Sequence, residues 1–217
     1  MKILAVIPAR KNSQSIKNKN LKKIGKSSLI ENTIKFALKC DFFDEIILTS
    51  DCNKILKIGK ELDLLILKRA KRLSSSYASA EKVWCDAFLK AEKMTNKKFN
   101  YSFYLEPTSP FRDIKQLKDG LKQIIKKKLD TVISVSKTSH PNKDIYSAKS
   151  KKKLLINDKK VSYHRNGIFY LSKRRKVLSK NRIISGKVGA LIIKKKYLNI
   201  DYLPELYYAN FLSKNKK

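Results

Sequence analysis

Four short segments gather the groups that handle phosphate, carboxylate and divalent cations. The first runs Pro8-Ala9-Arg10-Lys11-Asn12-Ser13-Gln14-Ser15-Ile16-Lys17-Asn18-Lys19-Asn20-Leu21. Its cations, hydroxyls, amides and backbone N–H groups suit a triphosphate whose charge must be neutralised as pyrophosphate leaves. It lacks the glycines and the Gly-Lys-Ser/Thr ending of a Walker loop. The competing reading is a solvated basic loop. The second segment is Ser50-Asp51. The third is Leu105-Glu106-Pro107-Thr108-Ser109-Pro110-Phe111-Arg112. Its prolines stiffen a turn that presents two hydroxyls; alternatively, Thr108 or Ser109 simply caps a helix. The fourth is Asn199-Ile200-Asp201. A lone carboxylate there suits Mg2+ bound together with substrate phosphates, or it caps the helix that follows. Cys40, Cys52 and Cys85 have no metal-ligand spacing and are odd in number, which argues against a zinc site and a disulfide framework.

Strands and helices must bring these segments together. Residues 2–8 read as a strand bounded by Pro8, followed by a polar loop over 9–24. Residues 28–40 carry apolar side chains at helical spacing, with Ser27 or Ser28 as the cap. The alternation continues with a strand at 45–49, a helix at 53–61, a strand at 64–67 and a helix at 80–93. It then runs through a strand at 101–105, a helix at 114–127 and a strand at 131–136. This βαβα order predicts an α/β fold, a mostly parallel sheet with helices on both faces. Ligands of such sheets bind beyond the carboxyl ends of the strands, where the four segments fall. After residue 136 the pattern changes. Residues 140–160 are polar and basic, 149–153 resembles a loop tip or hairpin, strands are expected at 167–171 and 190–193, and a closing helix at 203–212. The chain therefore reads as one domain, 1–217, with an inserted arm at about 138–165. Trp84 and the cysteines are expected in the core.

The balance of 51 Lys+Arg against 18 Asp+Glu gives a net charge of +33. A polyanion partner is the first idea this raises. However, only eight of the basic residues are arginine, the type that reads nucleic acid bidentately, and the lysines spread over the whole chain. Abundant Lys, Ile and Asn with only 6 Gly look like AT-rich coding. Nucleic acid is therefore the weaker expectation, and the charge would steer any anionic substrate favourably. No apolar run approaches the ~18 residues of a membrane helix. Residues 1–8 are too short for a signal peptide, which reads as a cytoplasmic protein that needs no membrane.

Taken in order, these segments resemble the acylneuraminate cytidylyltransferase family, nearly end to end. The family's I-P-A-R-x-G-S-K-G-I-P-x-K-N-L loop is similar to Ile7-Pro8-Ala9-Arg10, Ser13, Ile16, Lys19, Asn20 and Leu21. Its Ser/Thr-Asp strand end resembles Thr49-Ser50-Asp51, and its R-P-x-x-L-A segment resembles Arg69 to Ser74. Its L-Q-P-T-S-P-L-R loop is close to Leu105–Arg112. The V-S-V segment and His-Pro turn resemble 133–135 and His140-Pro141. N-G-x-x-Y matches Asn166-Gly167-Ile168-Phe169-Tyr170, and D-I-D-x-x-x-D looks like Asn199-Ile200-Asp201 with Glu205.

The resemblance implies a Rossmann-like nucleotidyltransferase with a small dimerisation arm, hence a homodimer. It implies an enzyme joining CTP to a sialic-acid-like acid sugar, giving the CMP-sugar and pyrophosphate, with Mg2+ as cofactor. Arg10 and Lys19 would bind the triphosphate and Asp201 the metal, these three being the catalytic set. Ser13 and Asn20 would sit beside the nucleotide, and Thr108 and Ser109 on the pocket floor. Asn166 and Gly167 would lie in the sugar-side wall. Arg165 would hold the sugar carboxylate, unless the family arginine aligns with His164. Four departures bear on activity. The family's loop glycines fall at Lys11 or Asn12 and at Ser15, which removes easy positive-φ geometry and close backbone approach to phosphate. The family's loop lysine falls at Gln14, with Lys11 or Lys17 as replacements. Its glutamine falls at Glu106, which would add a metal ligand or repel an anionic sugar. Its first closing aspartate falls at Asn199. Two other readings keep the fold: a diverged or inactive relative with a different nucleotide or sugar, and a basic protein that binds anions or nucleic acid.

Overall fold

The computed structural model describes residues 1–75, 77–137, 163–179, 183–194 and 197–215. Its first strand, β1 (Ile3–Ala9), is buried on both faces, as a near-continuous apolar run requires at the centre of a parallel sheet. Around it lie β4 (Glu45–Ser50), β5 (Leu65–Lys68), β6 (Tyr101–Tyr104), β7 (Thr131–Lys137), β8 (Tyr163–Lys173) and β9 (Val188–Ile192). The order across the sheet is β5-β4-β1-β6-β8-β7-β9. Neighbours pair in parallel, except that β8 runs antiparallel to both β6 and β7.

Helices cover both faces. On one, Ile30, Ile34 and Ala37 of α1 (Leu29–Leu38), Ile55 of α2 (Asn53–Glu61) and Leu117 and Ile124 of α4 (Ile114–Lys126) pack on Ile3, Ala5 and Ile7. On the other, Trp84, Ala87, Phe88 and Ala91 of α3 (Ala80–Thr95) and Val177 of α5 (Arg174–Leu178) pack on Leu4 and Val6. Successive β1 residues thus serve opposite layers. Trp84 donates its indole N–H to Ser102 Oγ at 2.8 Å, and all three cysteines are buried and outside any disulfide. Of the two cap candidates for α1, Ser28 forms the reciprocal capping box with Glu31.

Several expectations change. The loop at 9–24 contains a 3₁₀ turn, Lys19–Leu21, and β2 (Lys23–Ile24), which forms a small hairpin with β3 (Ser27–Ser28). Neither Thr108 nor Ser109 caps α4; Asp113 does, accepting from Lys115 N at 2.9 Å. The strand expected at 167–171 is the longer β8, and α5 follows it directly. Consequently residues 163–165, assigned to the arm, belong to the sheet: Tyr163, His164 and Arg165 pair with Lys137, Ser136 and Val135. The rest of the arm, 138–162 with His140 and the 149–153 run, lies outside the described residues.

A third, smaller cluster matters most for position. Ile16, Ile24, Leu29 and Ile200 pack with Leu206 and Ala209 of α6 (Leu203–Lys214). It pins the loop after β1 against the segment after β9, and so sets two distant pieces of chain face to face.

Candidate active site

β1 is the switch point of the sheet, because the chain steps from it to β4 on one side and, later, to β6 on the other. A cleft of about 760 Å³ opens there, beyond the carboxyl ends of the parallel strands. Its lining comes from the loop after β1 (Arg10, Ser13, Gln14, Ser15, Lys19, Asn20), the segment after β5 (Arg69, Leu73, Ser75, Ala78), the end of β6 (Tyr104, Glu106, Pro107, Thr108) and the segment after β9 (Asn199, Asp201, Tyr202). Arg10, Lys19 and Asp201, which the sequence reading groups as one set, share this single hollow. Ser13, Asn20, Glu106 and Thr108 line it with them.

Short-range chemistry shapes the loop after β1. Asn18 takes a left-handed backbone (φ 55°), which asparagine tolerates, and starts the turn that buries Lys19 and Asn20. The Asn20 amide donates to the Arg10 carbonyl at 3.0 Å, and Asp51 accepts from Lys11 N at 2.7 Å. Asp51 therefore braces the loop. Across the cleft, Lys19 Nζ donates to Ile200 O (2.9 Å), Asp201 O (3.3 Å) and Asp201 Oδ1 (3.0 Å). The Asn199 amide holds Asp201 Oδ2 at 2.6 Å, and Ser15 Oγ donates to the Asp201 carbonyl.

Arg69 is a functional candidate that no role was assigned from sequence. It is buried, donates to Thr49 O at 2.8 Å, and lies close enough to Arg10 for that guanidinium to disfavour the Arg69 charge, which Tyr104 and Asp51 favour. Burial is the larger influence holding its pKa below the usual arginine range. The signal was its place directly after β5, at the same sheet edge as the other segments.

Beside the cleft the chain does something local pattern does not reveal. The β7–β8 register jumps between Ile133↔Tyr170 and Val135↔Arg165. Side chains fill the broken ladder: Ser134 Oγ donates to Phe169 O and accepts from Phe169 N, and Asn166 donates to Ser136 Oγ and accepts from Ile168 N. The bulge carries Gly167 (φ +70°), where a Cβ would stand 3.0 Å from Ser109 Oγ and 3.2 Å from Glu106 Oε2. Ser109 itself is buried and donates to Asn166 O at 3.2 Å. Thus Ser109, Asn166 and Gly167 form the support behind Glu106 and Thr108, with the Asn166 side chain spent inside the sheet. Arg165 is exposed at the start of β8 and is not among the cleft-lining residues, yet its charge favours ionised Glu106.

Glu106 is the one carboxylate here held above the usual range. Burial is the main cause, Asp201 adds to it, and Arg112, Arg165 and Lys19 oppose it. Arg112 lies beneath, donating to the Glu106 carbonyl, to Ile168 O at 2.8 Å and to Thr33 Oγ1 at 3.4 Å, so it ties the β6 turn to β8 and α1. Gln14 is exposed at the cleft wall, whereas Lys11 and Lys17, the suggested replacements for a loop lysine, do not line it. His164 is partly buried, touches the Tyr197 hydroxyl and does not line the cleft.

Comparison with known proteins agrees with this architecture. A curated relative from Escherichia coli, N-acylneuraminate cytidylyltransferase, is 28% identical over 212 residues; the alignment covers 92% of this chain but only 49% of that protein, so the chain spans about half its length. Pseudaminic acid cytidylyltransferase of Campylobacter jejuni is 26% identical over 226 residues, covering 99% of this chain and 97% of that one. A solved structure of CMP:2-keto-3-deoxy-manno-octonic acid synthetase complexed with CTP superposes with a TM-score of 0.74 at 13% identity, covering 100% of both chains, and shows the fold. A family model described as cytidylyltransferase matches residues 4–202, and the chain belongs to that family.

Proposed function

We propose that this protein transfers a cytidylyl group from CTP to an acid sugar of the sialic, pseudaminic or legionaminic type, releasing pyrophosphate. The observation that carries the reading is the cleft itself: Arg10, Arg69 and Lys19 face Asp201 at the switch point of a cytidylyltransferase sheet. Arg69 keeps its charge against burial and the nearby Arg10, which an anion in the hollow would relieve, and a triphosphate is such an anion. Curated relatives include N-acylneuraminate, pseudaminic acid and CMP-N,N'-diacetyllegionaminic acid synthesising enzymes, which supports the sugar class. In this reading Arg10 and Lys19 bind phosphate, Ser13 and Asn20 order the loop beneath it, and Arg69 reads the nucleotide. Glu106 and Thr108 face the sugar, with Gly167, Ser109 and Asn166 behind them, and Arg165 approaches from the rim. The sugar hydroxyl attacks the α-phosphorus, pyrophosphate leaves, and no covalent enzyme intermediate is needed. The protein positions both substrates and balances the charge of the leaving group. We place the protein in the cytoplasm as a homodimer; among the described residues no helix is long and apolar enough to cross a membrane.

The donor set fits Mg2+. Asp201 supplies a carboxylate, with Glu106 lining the same cleft, both hard oxygen ligands. Mg2+ bound there would neutralise phosphate charge. A pyrophosphate-release assay with CTP, Mg2+ and a panel of acid sugars tests the proposal. Turnover is expected with at least one such sugar, and Asp201→Ala should lower it by about 10²–10³-fold, the usual cost of losing one charge-stabilising group. Release with no acid sugar in the panel, or full activity in Asp201→Ala, would count against it.

A further inference from the structure

Both carboxylate oxygens of Asp201 are hydrogen-bonded. Lys19 Nζ sits 3.0 Å from Oδ1 and Asn199 Nδ2 sits 2.6 Å from Oδ2. Both partners are N–H donors, so each carboxylate oxygen already accepts one bond, and the Lys19 charge opposes a second cation beside it. Lys19 also spends its remaining donors on the Ile200 and Asp201 carbonyls, and its side chain is only 9% exposed against 53% for Asp201. An ammonium this buried is costly to leave unpaired, so it gives up Asp201 only when another anion takes the place. The phosphates that the proposed function puts in this cleft are that anion.

We infer that Lys19 is the counter-ion of Asp201 only while the nucleotide is absent, and that its transfer to phosphate opens Asp201 to the divalent cation. The inference rests on the cytidylyltransferase reading of the cleft. One ion pair, Lys19 with Asp201, is exchanged for two, Lys19 with phosphate and Asp201 with the cation. Cation binding at Asp201 is then contingent on nucleotide. Asn199 is the positioning residue: its amide keeps Oδ2 fixed through the exchange while its own Oδ1 stays 3.4 Å from Ser109 Oγ.

Crystals of the wild-type protein soaked in MnCl2 alone, and in MnCl2 with CTP but no sugar, test this through manganese anomalous scattering. The expected result is a peak at Asp201 only with CTP, with Lys19 moved onto phosphate. A peak at Asp201 from MnCl2 alone, or CTP in the cleft with Lys19 still bonded to Asp201, overturns this inference and leaves the functional reading standing. CTP absent from the cleft overturns that reading and the inference with it. In solution, Lys19→Met should bind Mn2+ without nucleotide up to about fivefold more tightly than wild type, measured by electron paramagnetic resonance, since a competing partly exposed ion pair has been removed. Adding Asp201→Asn should abolish the gain. Equal affinity in wild type and Lys19→Met would contradict the exchange.

Discussion

At the scale of single residues, the site is built from charges kept without full compensation. Arg69 carries its charge against burial and the nearby Arg10, and burial and Asp201 raise the Glu106 carboxyl above its usual range. Such groups lower stability while no ligand is bound, and their concentration in one cleft is a mark of function. For Glu106 the sign is definite. Its folded pKa lies above the ordinary value of 4.5, so the folded state binds the proton more tightly than the unfolded chain does. Stability is full at pH below 4.5 and falls as pH rises through the raised folded value. Glu106→Gln should therefore stabilise the protein at pH 7 by about 1 kcal/mol, the scale of removing one poorly paired buried group. The gain should vanish near pH 4, as read by thermal melts at both pH values. A gain that is independent of pH would contradict this account of Glu106. Arg10, Lys19 and Asp201 were visible as chemistry in the chain, but the bond between Lys19 and Asp201 joins residues 182 positions apart and has no local signature. Arg69 was missed as a site residue for a related reason. Its importance lies in burial at a strand end, which residue type alone does not report.

At the scale of elements, the parallel half of the sheet was legible because its strands are short apolar runs separated by amphipathic helices with caps. The segments 53–61 and 114–126 have helical periodicity strong enough to set their bounds within a residue or so. The antiparallel insertion of β8 was not legible, since direction is decided by which strands it joins and not by its own sequence. Its bulge was hidden for the same reason, although Gly167 was noticed. That glycine combines positive φ with close approach to Ser109 and Glu106. Gly167→Ala should cost about 1–2 kcal/mol in stability through backbone strain and displace Glu106. Denaturant unfolding together with pyrophosphate release should show both losses; an unaltered midpoint and rate would mean that the bulge does not set the sugar-side wall.

At the scale of the whole molecule, the charge of +33 bears on encounter more than on fold. A cationic protein attracts CTP over distances of about one Debye length, near 8–10 Å at physiological salt, and salt removes that attraction. The value of kcat/KM for CTP should fall about threefold to tenfold between 25 and 300 mM NaCl, with kcat nearly constant. A flat profile would show that the lysines play no part in capture. The central claim is that one cleft at the head of β1 holds a cytidine triphosphate between the Arg10–Asn20 loop and Asp201, and a crystal structure of the protein with CTP tests it most directly. The account predicts the triphosphate against Arg10 and Lys19, with the base toward Arg69. CTP bound at another surface, with this cleft empty and Lys19 still paired with Asp201, would contradict it.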